Sequence, residues 1–100
     1  MNAAKKRKLR QIAHHLDPVV TVGDKGLSDT VLAEVNRALR DHELIKVKLA
    51  AGERDDRRAL AEAVTEASAA ELVYMIGKIA VLYKANSNAD PRLSNISRHG

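Results

Sequence analysis

Apolar residues in this chain alternate between two spacings, and the order of those spacings restricts the fold more than any other feature of its 100 residues. Leu9, Ile12, Ala13 and Leu16 recur at the interval that lines one face of a helix. Pro18 ends that helix, and Val19, Val20, Thr21 and Val22, all β-branched, predict a short buried strand. Helical spacing returns in Val31, Leu32, Val35, Ala38 and Leu39, with Ser28 as the cap, Leu27 placed to staple onto Leu32, and the end near His42. From Leu44 the period becomes two, because Ile45, Val47 and Leu49 alternate with Lys46 and Lys48, as in a strand with one face in the core. After Gly52, the residues Leu60, Ala63, Val64 and Ala67 predict a third helical stripe, and Asp55 or Asp56 suits its start. Two apolar runs close the series, Leu72 to Ile76 and Ile79 to Tyr83, with Gly77-Lys78 between them as a link of hairpin length.

The predicted order is therefore α-β-α-β-α-β-β, an α/β or α+β arrangement. Right-handed crossovers would lay three helices on a four-stranded mixed sheet in two layers or a partial third. Residues 1–84 form the domain in this reading. Residues 85–100, with Asn86, Ser87, Asn88, Asp90, Pro91 and little periodicity, read as a tail or loosely docked segment.

The interior must be aliphatic, since the chain has no Phe or Trp and only Tyr74 and Tyr83. There is no cysteine, which removes disulfides, zinc-thiolate sites and thiol chemistry. No apolar run of signal-peptide or membrane-spanning length follows the basic start, so the expectation is a soluble cytoplasmic protein that engages no membrane. The net charge of +4 is unevenly spread. Residues 1–16 hold five basic side chains and no acid, residues 17–77 hold eight basic and twelve acidic, and residues 78–100 hold four basic and one acidic. Segregation of this kind creates a surface of one sign that attracts polyanions, although a solvated basic helix face would look the same in sequence.

Gly23-Asp24-Lys25-Gly26, between the first strand and the second helix, is the most informative short segment. Two glycines around a tight turn at a helix start let backbone amides approach phosphates, and Lys25 adds a cation while Asp24 tempers it. The segment is also what a plain turn looks like. It lacks the GK[ST] ending of a P-loop and the third glycine of a dinucleotide fingerprint, so nucleotide hydrolysis gains no support from it.

Three separated segments resemble a known family. They are Pro18 to Ser28, with the glycine pair; His42-Glu43-Leu44-Ile45-Lys46-Val47-Lys48; and Ile76-Gly77-Lys78 leading into Val81-Leu82-Tyr83-Lys84. In this order and at this spacing they are similar to the CRM domain (chloroplast RNA splicing and ribosome maturation) in its single-domain bacterial YhbY form, over about Lys5 to Lys84. The resemblance implies a fold similar to the C-terminal domain of translation initiation factor three. It also implies RNA contact through the GxxG loop and adjoining basic surface, and association with ribosomal RNA in precursors of the large subunit. Carried over by position, the loop residues are Gly23, Asp24, Lys25 and Gly26. Charge alone adds Lys5, Lys6, Arg7, Lys8 and Arg10 on helix one and Lys46 and Lys48 on strand two, the last two being equally the solvent face of a strand.

Other side chains suggest chemistry less well. His14, His15, His42 and His99 lack ligand spacing and a carboxylate cluster, so no metal is expected. Ser28 is better explained as a cap than as a nucleophile. Tyr74 and Tyr83 are more readily packing residues than a base-stacking pair. With no acid–base pair, no cofactor motif and no small-molecule substrate indicated, the reading is a binding module rather than an enzyme. A basic DNA-binding or nucleoid-associated protein is the alternative, because positive charge alone does not choose between nucleic acids.

Overall fold

The computed structural model describes residues 1–50 and 52–99. Its elements are α1 (Ala3–Ala13), β1 (Pro18–Val22), α2 (Asp29–His42), β2 (Leu44–Leu49), α3 (Arg54–Ser68), β3 (Glu71–Ile76), β4 (Ile79–Tyr83) and α4 (Asn95–His99). The strands form one sheet in the order β1-β2-β4-β3. β1 runs parallel to β2, and β4 runs antiparallel to both β2 and β3, so β1, β2 and β3 all point the same way. The crossovers through α2 and α3 both step in one direction across the sheet, and both helices lie on one of its faces. The chain then turns back at Gly77-Lys78 and inserts β4 between β2 and β3.

Period-two alternation decides what each face receives. Val20, Val22, Ile45, Val47, Leu49, Ala80 and Leu82 point toward α2 and α3, where Val35, Leu39, Ala61 and Val64 complete the larger core. Leu44, Val73 and Val81 point the other way and meet Leu9, Ile12 and Ala13 of α1. β2 is thus buried on both faces at its start, through Leu44 and Ile45, rather than on one face throughout as its alternation predicts. The covering is a partial third layer, because α1 is too short to roof the whole sheet.

Helix ends follow local chemistry. Asn2 accepts from the Lys5 amide at 2.8 Å, and Ser28 accepts from the Val31 amide at 3.2 Å. Asp56 accepts the Glu53 amide at 3.3 Å, which bears out the acidic start expected for α3. The buried stripe of α3 differs from its sequence expectation: Ala61, Val64 and Ser68 are buried, with Leu60 half-buried, while Ala63 and Ala67 are exposed. Alanine has little surface to hide, so Leu60 and Val64 set the rotation of the helix. Ser68 tolerates burial because its hydroxyl donates to the Val64 carbonyl at 2.8 Å.

Residues 85–99 are held by polar contacts, and they include the short helix α4, which periodicity does not predict. Glu43, at the junction of α2 and β2, takes φ +62°, a value non-glycine residues adopt only when surroundings over-determine it. Those surroundings are explicit. Its amide donates to the Leu39 carbonyl at 2.8 Å, and its carbonyl accepts from the Lys84 amide at 2.9 Å. Its carboxylate accepts from the Asn86 amide and the Ser94 hydroxyl, both at 2.8 Å. Asn95 donates to the buried Leu44 carbonyl at 2.7 Å, His42 Nδ1 lies 2.8 Å from the Leu93 carbonyl, and His15 stacks on His99 with ring centroids 6.0 Å apart.

Candidate nucleic-acid interface

The two ends of the sheet are built differently. At the end where β1 and β2 finish, the glycine turn, Ala50 and the Gly77-Lys78 hairpin are neighbours. Val22 runs into Gly23-Asp24-Lys25-Gly26, a tight turn closed by the Gly26 amide on the Gly23 carbonyl at 3.0 Å. The Ala50 amide donates to the Val22 carbonyl at 2.8 Å, and the Leu49 amide donates to the Lys78 carbonyl at 2.7 Å. The glycine turn, the segment after β2 and the Gly77-Lys78 hairpin are therefore tied to the same edge of the molecule. Gly26 takes φ +71°, where a Cβ would be strained; Gly23 does not, and a Cβ built on either would meet nothing within 4 Å. The turn is open to whatever approaches it, and Gly23, Asp24 and Lys25 are exposed.

On the sheet, Lys46 and Lys48 point away from the larger core, toward the side occupied by α1. Lys48 pairs with Thr21 of β1 and Ile79 of β4, one position before Leu49 and Val22, which puts it beside the base of the glycine turn. Lys48 is exposed and Lys46 half-buried. Lys5, Lys6, Arg7, Lys8 and Arg10 are all exposed on α1. The helix carries them from the far end of β4, where the Lys5 ammonium lies 4.8 Å from the Tyr83 ring centroid, to the middle of β3, where the Arg10 guanidinium lies 4.6 Å from that of Tyr74. The structure thus brings Arg10, Lys46 and Lys48 to one face, with Lys25 at its rim and Lys5 at the opposite end of α1.

On this face the cations outnumber the acids, Asp24 in the turn and Glu71 at the start of β3. Among the described residues the salt bridges are Arg58–Glu62 and Arg92–Asp90, and neither involves any of these cations. Arg92 holds the Asp90 carboxyl below its usual value by side-chain hydrogen bonding, and that exposed pair lies in the C-terminal segment. Among the described residues, no cluster of three or more His, Asp or Glu side chains is arranged to hold a metal ion.

Sequence reasoning did not anticipate two features of this face. Tyr74 and Tyr83 pack into the smaller core as expected, yet each also carries a cation on its ring. Ile76 is 64% exposed, because α1 ends its cover before reaching it. A signal was present, since an apolar residue directly before a two-residue hairpin sits at the tip of a ribbon.

A four-stranded mixed sheet roofed on one side and partly open and cationic on the other, with a glycine turn leading into a capped helix, defines a small α+β domain class. Comparison with known proteins gives the family: the chain belongs to the CRS1/YhbY (CRM) domain family, whose model matches residues 1–84. It is 54% identical over 93 residues to a protein of Pseudomonas aeruginosa named "Probable RNA-binding protein", covering 93% of this chain and 89% of that one. It is 41% identical over 93 residues to a protein of Haemophilus influenzae named "RNA-binding protein", covering 93% and 94%. The fold is similar to the solution structure of a hypothetical protein from Staphylococcus aureus, with a TM-score of 0.77, 35% identity, and coverage of 88% of this chain and 93% of that one.

Proposed function

We propose that this chain is a non-catalytic RNA-binding module that holds ribosomal RNA in precursors of the large subunit and assists their assembly. The observation that carries the reading is the set of exposed cations that have no carboxylate partner among the described residues, on the α1 side of the sheet and bordered by an open glycine turn. Phosphates would be neutralised by Lys25, Lys46, Lys48 and the α1 cations Lys5, Lys6, Arg7, Lys8 and Arg10. The amides of Gly23, Asp24 and Lys25 would approach a phosphate from the turn, while the Gly26 amide closes the turn on the Gly23 carbonyl. The names of the relatives support RNA as the ligand class. The family resemblance supports the ribosomal precursor as the particular RNA.

Two measurements test this. If about five phosphates are neutralised, the logarithm of affinity for a single strand falls with the logarithm of salt at a slope of about −3.5; an affinity indifferent to salt overturns the mechanism. Crosslinking in cells followed by mapping of adducts should recover large-subunit ribosomal RNA and its precursors. Recovery of duplex DNA instead would give the chain to the other nucleic acid.

A further inference from the structure

One strip of the cationic face holds an aliphatic pair that α1 leaves partly uncovered. At the open end of the sheet, Thr21, Lys48, Ile79 and Ile76 stand side by side across β1, β2, β4 and β3, as the pairings Thr21↔Lys48, Lys48↔Ile79 and Ile76↔Ile79 require. Ile79 is half-buried against the smaller core, whereas Ile76 is exposed. Two residues along β3 on the same face comes Tyr74, with the Arg10 guanidinium over its ring. An aliphatic pair therefore lies between Lys48 on one side and a stacked arginine on the other, with the Gly77-Lys78 turn at its margin.

We propose that this strip receives the unpaired bases of single-stranded RNA, with Ile76 and Ile79 desolvating base faces and Arg10 offering its outer plane for stacking. The proposal rests on the RNA-binding reading above and adds which part of the nucleotide is held and in which form. Three considerations select this occupant. A-form duplex hides its base faces and offers phosphates and 2′-hydroxyls, from which an aliphatic strip gains nothing. Unpaired bases bury their faces on apolar and planar groups whatever their sequence. A protein partner would favour a patch depleted in lysine, whereas Lys48 stands in this row, Lys46 lies two residues along on the same face and Lys78 is exposed in the adjoining turn, which suits a strand that brings a phosphate with every base.

The test compares wild-type protein with Ile76→Ser on three probes: a short unstructured RNA, the same RNA annealed to its complement, and an abasic ribose-phosphate strand of equal length. Ile76→Ser removes an exposed side chain, so its unfolding midpoint should match the wild type. Affinity for the unstructured RNA is expected to fall about tenfold, the equivalent of about 1.4 kcal/mol. Affinity for the duplex and the abasic strand should not change, nor should the salt slope. Arg10→Lys, which keeps the charge and loses the plane, should discriminate among the probes in the same direction by a smaller factor and needs no change in the sheet. Equal weakening on all three probes, or none on any, overturns the proposal while leaving phosphate binding intact. If Ile76→Ser leaves every affinity alone but lowers self-association in sedimentation, the strip is a contact between copies and the proposal fails. A wild-type protein that binds none of the probes removes the RNA-binding reading and this one with it.

Discussion

The sheet's two ends are built to opposite specifications. At the end where β4 finishes and β2 begins, both faces are covered and buried polar groups are matched: Glu43 grips Asn86 and Ser94, Asn95 satisfies the Leu44 carbonyl, and Lys84 donates to the Ser68 carbonyl at 2.9 Å. At the other end the glycine turn and the Gly77-Lys78 hairpin meet the end of β2, one face is partly bare, Ile76 is in water and the cations form no salt bridge among the described residues. The contrast teaches that stability and the proposed recognition are placed largely apart, the Lys5 end of α1 over Tyr83 being the exception, so that the turn and the bare strip should be removable without loss of the closed end.

The largest effect that could break this separation belongs to the closed end. Leu44→Ala empties a fully buried position and should cost about 2–5 kcal/mol in urea unfolding, while the folded fraction keeps its RNA affinity. Asn95→Ala leaves the Leu44 carbonyl buried without its donor and should cost about 1–3 kcal/mol, again with RNA affinity unchanged. A matching loss of affinity in either variant would show that the ends are coupled.

At the open end the balance should reverse. Gly26→Ala must place a Cβ at φ +71° and should cost about 1–2 kcal/mol, whereas Gly23→Asp, at a position with free space and ordinary φ, should leave the melting temperature nearly unmoved and weaken RNA binding. Lys48→Gln should alter stability by less than about 0.5 kcal/mol. It should make the salt slope on a single strand shallower by about 0.7, one phosphate's share. The smallest effect lies outside both ends. Asp90 should titrate below the ordinary carboxylate range, and Arg92→Ala should return it upward. A lowered folded value means that its contribution is present at neutral pH and lost as pH falls through that value. Because Arg92 is exposed and Asp90 no more than half-buried, the melting temperature should scarcely register the change, and NMR titration of the Asp90 carboxyl is the readout.

How far the fold was legible depended on side-chain size. Leu9 and Ile12 in α1, Val35 and Leu39 in α2, and Ile45, Val47 and Leu49 in β2 announced their faces because each has much apolar surface to hide. Ala63 and Ala67 misled because methyl groups gain little from either side of a helix. The docking of residues 85–99 was invisible to periodicity, since Ser94 and Asn95 are buried by hydrogen bonds rather than by a repeating apolar pattern. Of the candidate surface, the glycine turn and the cations could be named from sequence. The bare strip could not, because whether Val81 or Ile76 is roofed depends on where α1 comes to rest.

The Glu43 corner also bears on the order in which the molecule is finished. Its carboxylate is met by residues 86 and 94, and the neighbouring Leu44 carbonyl by the Asn95 side chain. A nascent chain that has emerged as far as Lys84 already possesses the four described strands, yet the groups that hold the Glu43 joint have still to be synthesised. Closure of the Glu43 corner therefore waits on residues 86–95, and a ribosome that stalls between those points would display the four strands with an unlatched hinge.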